Sequence, residues 1–148
     1  MSRVVSLCLP NWPVDRIRRR LGAAAPPPEA PFVIVGSDGR RRVVHATNDA
    51  GRALGLRPGL PAAQAHALVP GLVAHEAQPA EDAAGLERLA GWALRRYTPV
   101  VAPDPPDGLV LDVTGAAHLH GGGTALLTDL LARLGAVGVA ARAAAAPT

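Results

Sequence analysis

Residues 107–115 read Asp107-Gly108-Leu109-Val110-Leu111-Asp112-Val113-Thr114-Gly115, and their alternation decides how the chain folds. Successive strand side chains point to opposite faces. Asp107, Leu109, Leu111 and Val113 therefore share one face of a strand, and Gly108, Val110, Asp112 and Thr114 the other. Val100–Ala102 is a short apolar run just upstream, so the two segments form a hairpin. A carboxylate beside an apolar strand suits a hard cation such as Mg²⁺ at the edge of a core. The competing reading places Asp107 in a Pro105-Pro106-Asp107-Gly108 turn, and residue physics alone favours the turn.

Working outward, Glu81–Tyr97 is the strongest helix, with Leu86, Leu89, Ala90, Ala93 and Leu94 at three- to four-residue spacing on one face. Asp82 near its start and Arg95 and Arg96 at its end suit the helix dipole. Downstream, Gly121–Leu134 is a helix and Val137–Ala143 a final strand. At the N-terminus, Arg3–Leu9 reads as a buried strand and Val14–Leu21 as a short helix. Ala23–Pro31 holds four prolines and is irregular. Phe32–Val35 and Arg41–Ala46 flank a Gly36-Ser37-Asp38-Gly39 turn, giving a hairpin with an Arg-rich tip. Asn48–Leu54 is a helix with Asn48 as N-cap and Gly55 as C-cap. Pro61–Leu68 is a second short helix and Leu72–His75 a brief strand. Short strands interleaved with helices place the chain in the α/β or α+β class.

Composition sets bounds. At 148 residues the chain has the size of one ordinary domain. Hydrophobic residues at 49% and charged residues at 18% exclude a highly charged disordered chain. Cys8 is the only cysteine, which excludes an intrachain disulfide and a multi-cysteine zinc site. The 15 basic residues, all Arg, against 12 acidic ones give +3, with clusters at Arg16–Arg20 and at Arg40, Arg41 and Arg42. From charge alone these are solvated surface residues rather than a nucleic-acid patch. The N-terminus lacks the apolar core of a signal peptide, and the Ala-rich end is too short to span a membrane and carries Arg142, so a cytoplasmic protein is expected.

Other chemistry-bearing patterns are weak. His118 and His120 would share a strand face, but no third ligand is spaced to join them. Gly121-Gly122-Gly123 precedes a helix without the Walker or Rossmann spacing, so it reads as a turn. Cys8, in an apolar strand, reads as an inert core thiol.

Taken in order, several segments resemble the Y-family (UmuC-type) translesion DNA polymerases. Asn48–Leu72 is similar to the fingers segment of that family, Tyr97–Val101 to the stretch after its long palm helix, and Asp107–Gly121 to the palm hairpin. Ser6–Pro13 occupies the place of its first palm strand. The resemblance implies a polymerase-type palm with a ferredoxin-like mixed sheet, from 1–13 and 79–148, and a small inserted fingers subdomain over 14–78. Active members hold two Mg²⁺ with carboxylates on the first strand and on the hairpin, and these metals drive an in-line displacement. Here the first-strand position falls on Cys8 and the hairpin Glu position on Gly108, leaving Asp107 as a vestigial acid. The family's triphosphate-binding pair falls on Asp49 and Arg52; Arg52 keeps its phosphate-pairing chemistry, and Asp49 would repel the anion.

These departures resemble the catalytically degenerate, ImuB-like branch of the family, as does the SLCLPNWPVDR start. That branch implies an accessory role in damage-induced translesion synthesis (the SOS response), with no intact catalytic residue, no resident metal and no cofactor. The implied partners are DNA, a sliding clamp, an error-prone replicative-type polymerase and a RecA-like small subunit. Mg²⁺ enters only if the chain is instead an active Y-family polymerase. A third reading is a nucleic-acid-binding module touching the backbone through Arg40, Arg41 and Arg42. Thumb and little-finger domains are absent from the sequence, so a fragment of a longer design is expected.

Overall fold

The computed structural model describes residues 3–97, 100–112 and 123–147. The C-terminal end of the 107–115 stretch, Thr98 and Pro99, His118 and His120, and Gly121 and Gly122 lie outside the described residues. The element order is β1 (Arg3–Cys8), α1 (Trp12–Leu21), β2 (Phe32–Ser37), β3 (Arg42–Thr47), α2 (Asp49–Ala53), α3 (Ala62–Leu68), β4 (Val73–Glu76), α4 (Pro79–Arg96), β5 (Val100–Asp104), β6 (Gly108–Asp112), α5 (Gly123–Ala136) and β7 (Arg142–Pro147). A single 3-10 turn, Gly22–Ala24, follows α1. Two compact units result: Met1–Trp12 with Ala80–Thr148, and Pro13–Pro79.

The first unit is built on a four-stranded sheet of order β5-β6-β1-β7. All three pairings are antiparallel, which corrects the expected mixed sheet. The reason is the split β-α-β arrangement: β1 and β5 run parallel but are not neighbours, and β6, returning from a tight turn, fills the slot between them. Alternation on β1 sends Val5 and Leu7 into the core, followed by Leu9. There they meet Leu109 and Leu111 of β6, Leu86 and Ala90 of α4, Tyr97 beyond it, and Leu126, Leu130 and Leu134 of α5. Each such leucine contributes roughly 1.5–3 kcal/mol of hydrophobic stabilisation. On α4 the buried stripe is Leu86, Ala90, Ala93 and then Tyr97, whereas Leu94, expected on that face, is 42% exposed because it falls one position off the stripe.

The last strand also differs from expectation. Val137 and Val139 belong to the stop of α5, not to a strand. Gly138 has φ +84°, its N–H reaches the Gly135 carbonyl, and the Val139 N–H reaches Leu134 at 2.8 Å. This is a Schellman stop, with Val139 and Leu134 packed together in the core. The strand itself is the alanine run that follows. Alanine is a weak strand former, so position beside β1 rather than local propensity makes it β7.

In the second unit β2 is the middle strand of the order β3-β2-β4, antiparallel to β3 and parallel to β4. Its residues are buried on both faces, which is why Phe32-Val33-Ile34-Val35 is a continuous apolar run rather than an alternating one. Val33 and Val35 pack with Val44, Leu56, Ala65 and Leu72. Phe32 and Ile34 pack with Val14 and Ile17 of α1. Among the described residues no helix is long and apolar enough to cross a membrane.

Candidate functional site

Three places answer to the residues singled out in the sequence. The first is the face of the four-stranded sheet turned away from its core. Cys8 lies directly opposite Gly108 on β6 and Arg142 on β7, and Gly108 lies opposite Asp104 on β5. Directly paired residues share a face, so these four make one row across the sheet. Cys8 is exposed, which overturns its reading as a core thiol. The apolar character of Arg3–Leu9 comes from Val5, Leu7 and Leu9, and the alternation that buries them turns Ser6 and Cys8 outward. Asp107 belongs to the turn, where its carbonyl accepts the Leu9 N–H at 2.8 Å.

The donors in this row do not fit a pair of Mg²⁺ ions. Asp104 supplies the row's one carboxylate, a thiol is a soft ligand, Gly108 offers no side chain, and a pair of hard cations needs several oxygens. Among the described residues no group of three or more His, Cys, Asp or Glu side chains is placed to hold a metal ion.

The second place is α2. Asn48 caps it, accepting the Gly51 N–H at 2.9 Å and the Phe32 N–H at 3.1 Å through Oδ1, and donating Nδ2 to the Ala30 carbonyl at 2.8 Å. The helix closes with a Schellman stop at Gly55, φ +95°, as the capping pattern predicts. Arg52 is held from two sides. One guanidinium nitrogen donates to the Thr47 carbonyl at 3.0 Å, and the other pairs with Asp49 one turn earlier. Arg57 donates to the carbonyls of Arg52 and Leu56. The carboxylate expected to repel an anion therefore also neutralises the arginine expected to bind one.

The third place is the tip of the β2–β3 hairpin. Asp38 Oδ1 accepts the backbone N–H groups of Arg40 and Arg41, both at 2.9 Å, and these bonds hold the carboxyl below its usual pKa. Arg40 and Arg41 are exposed. Arg42 differs. It grips Glu76 of β4 with two nitrogens, at 3.1 and 2.5 Å. The Arg42 hydrogen bond depresses the Glu76 carboxyl, and Glu76 in turn raises Arg42. Gly36 lies in the strand between them, buried, with a Cβ built there only 2.8 Å from the His45 ring. Sequence reasoning grouped Arg40, Arg41 and Arg42 by adjacency and missed Glu76, because nothing local signals a partner 34 residues away.

A sequence profile describing the impB/mucB/samB family matches residues 27–148. The chain belongs to the impB/mucB/samB family. Protein ImuB of Caulobacter vibrioides is 54% identical over 95 residues, covering 64% of this chain. The chain spans only 20% of the length of that relative. Among solved structures, the crystal structure of DinB from Sulfolobus solfataricus superposes with a TM-score of 0.75 at 18% identity, over 99% of this chain and 42% of that one. A post-insertion binary complex of Dbh DNA polymerase gives a TM-score of 0.79, also at 18% identity with 99% and 42% coverage. At that identity the likeness shows the fold. The Y-family resemblance read from the sequence is borne out, and the α+β architecture is the one seen in the DinB and Dbh structures.

Proposed function

We propose that this chain is a polymerase-like module of an ImuB-like subunit, which assists DNA damage tolerance without transferring nucleotides itself. The observation that carries the reading is the sheet row in which exposed Cys8 faces Gly108, where a two-metal mechanism needs carboxylates. The 54% identity to an ImuB protein supports the accessory role. Its partners on this reading are an error-prone replicative-type polymerase, a RecA-like small subunit and the sliding clamp, in the cytoplasm. Primer extension tests it. The chain is expected to add no nucleotide to a primed template in Mg²⁺ or Mn²⁺. Extension that scales with protein and disappears in Asp107→Ala would establish an active polymerase instead.

A second reading concerns DNA contact. Arg40 and Arg41 are exposed on a tip ordered by Asp38, which supports sequence-independent contact with a phosphate backbone. Arg42, gripped by Glu76, contributes less than the sequence implies. This contact accompanies the accessory role and does not require catalysis.

A further inference from the structure

We infer that the backbone has closed over Gly108, so that the cation site cannot be rebuilt by restoring its side chains. The inference rests on the polymerase-like reading above and deepens it: the site is lost in the packing of three strands as well as in residue identity.

Gly108 is buried, although it lies on the sheet face where Cys8 and Asp104 are exposed. A Cβ built on it sits 3.1 Å from the Leu7 carbonyl oxygen and 3.1 Å from the Asp104 carbonyl oxygen. Gly108 is not among the positive-φ glycines, so room and not backbone conformation is what excludes a side chain. Both crowding atoms are main chain, one from each neighbouring strand, and neither can rotate away. Relief requires β1 or β5 to move. β1 is fixed from beneath, because Leu7 and Leu9 are 1% and 0% exposed in the core. It is also tied at its end, where the Leu9 N–H meets the Asp107 carbonyl at 2.8 Å. Any residue larger than glycine at position 108 therefore makes β1 or β5 give by a few tenths of an ångström at the start of β6, whatever its chemistry. Cys8 carries no such restriction, since its side chain is exposed. Of the two positions, one is open to a carboxylate and the other is crowded by main chain on both sides.

The test uses four variants of the full chain: Cys8→Asp, Gly108→Ala, Gly108→Glu and Cys8→Asp/Gly108→Glu. Thermal melting and Mn²⁺ binding, followed by the EPR signal of free Mn²⁺, are the readouts. Cys8→Asp is expected to melt with the wild type. Gly108→Ala and Gly108→Glu are each expected to melt about 3–10 °C lower, because the Cβ alone causes the strain. The double variant is expected to bind Mn²⁺ within about threefold of Cys8→Asp. Wild-type melting of Gly108→Ala overturns the inference. So does a tenfold or greater gain in Mn²⁺ affinity in the double variant. Should Gly108→Glu fail to fold, Gly108→Ala still decides. A double variant that binds Mn²⁺ sinks only the closure, whereas nucleotide addition by the wild type sinks the non-catalytic reading itself.

Discussion

Replacing Gly51 by alanine should destabilise the protein even though alanine is the better helix former. Gly51 is buried in α2, and a Cβ there would fall on Thr47 Oγ1 while also meeting Asn48 Oδ1 and Leu56 Cδ1 at 3.3 Å. To make room, Thr47 must give up its 3.1 Å hydrogen bond to the Phe32 carbonyl. Losing a buried hydrogen bond costs about 1–3 kcal/mol and the overpacking a further 1–3 kcal/mol. Against this, alanine gains about 1 kcal/mol of helix propensity over glycine. The net loss is about 1–5 kcal/mol, a fall in melting temperature of roughly 2–20 °C at this chain length. Gly135→Ala in α5 is the control, since nothing lies within 4 Å of a Cβ there. It should gain about 0.5–1 kcal/mol. Thr47→Ala/Gly51→Ala should recover much of the loss. The Phe32 carbonyl keeps the Asn48 N–H at 3.2 Å, so the two changes are strongly non-additive. Urea unfolding of these proteins and of Thr47→Ala alone measures all these terms. Wild-type stability in Gly51→Ala, or strict additivity in the double variant, would refute the reasoning.

Three further outcomes follow from named contacts. In a salt titration of DNA binding, Arg40→Ala and Arg41→Ala should each lower the slope by about 0.9 on duplex DNA. Arg42→Ala should leave it nearly unchanged, and Glu76→Gln, which releases Arg42, should raise it. Asn48→Ala removes three side-chain hydrogen bonds, to Gly51, Phe32 and Ala30. It should cost about 2 kcal/mol or more in denaturant unfolding. The Tyr97–Asp129 hydrogen bond, 2.6 Å and reinforced by Arg133, acts in opposite senses at the two ends of the pH scale. Asp129 is depressed, first by the Tyr97 hydroxyl, so its contribution is present above the unfolded carboxylate value of about 3.9 and is lost as pH falls through the lower folded value. Burial, and then Asp129, raise Tyr97, so its contribution is present below about pH 10 and is lost as pH rises through the higher folded value. Melting against pH should show both losses, and Tyr97→Phe should remove the alkaline one.

Legibility in the sequence tracked how local each cause was. The β2–β3 hairpin, the Asn48 and Gly55 caps and the α4 helix were readable because turn chemistry, capping and periodicity act within a few residues. The alanine strand β7 was not, because its conformation is imposed by β1 from the far end of the chain. Cys8 was misplaced for a related reason: an apolar stretch does not reveal that only alternate residues are buried. At the candidate site, the family resemblance marked Cys8 and Gly108 as positions where acids would be expected. The crowding of Gly108 by two backbone carbonyls was invisible, because it depends on how three strands pair. Arg52 was singled out through the family resemblance, and its neutralisation by Asp49 was within reach, being an i, i+3 pair on a helix.

The central claim is that the sheet row through Cys8 and Gly108 holds no pair of catalytic divalent cations. Titration of the unmodified chain with Mn²⁺, read by the EPR signal of the free ion, tests it most directly. The account predicts no stoichiometric site and a wild-type curve that superposes on that of Asp107→Ala. A saturable site that is lost in Asp107→Ala would contradict it.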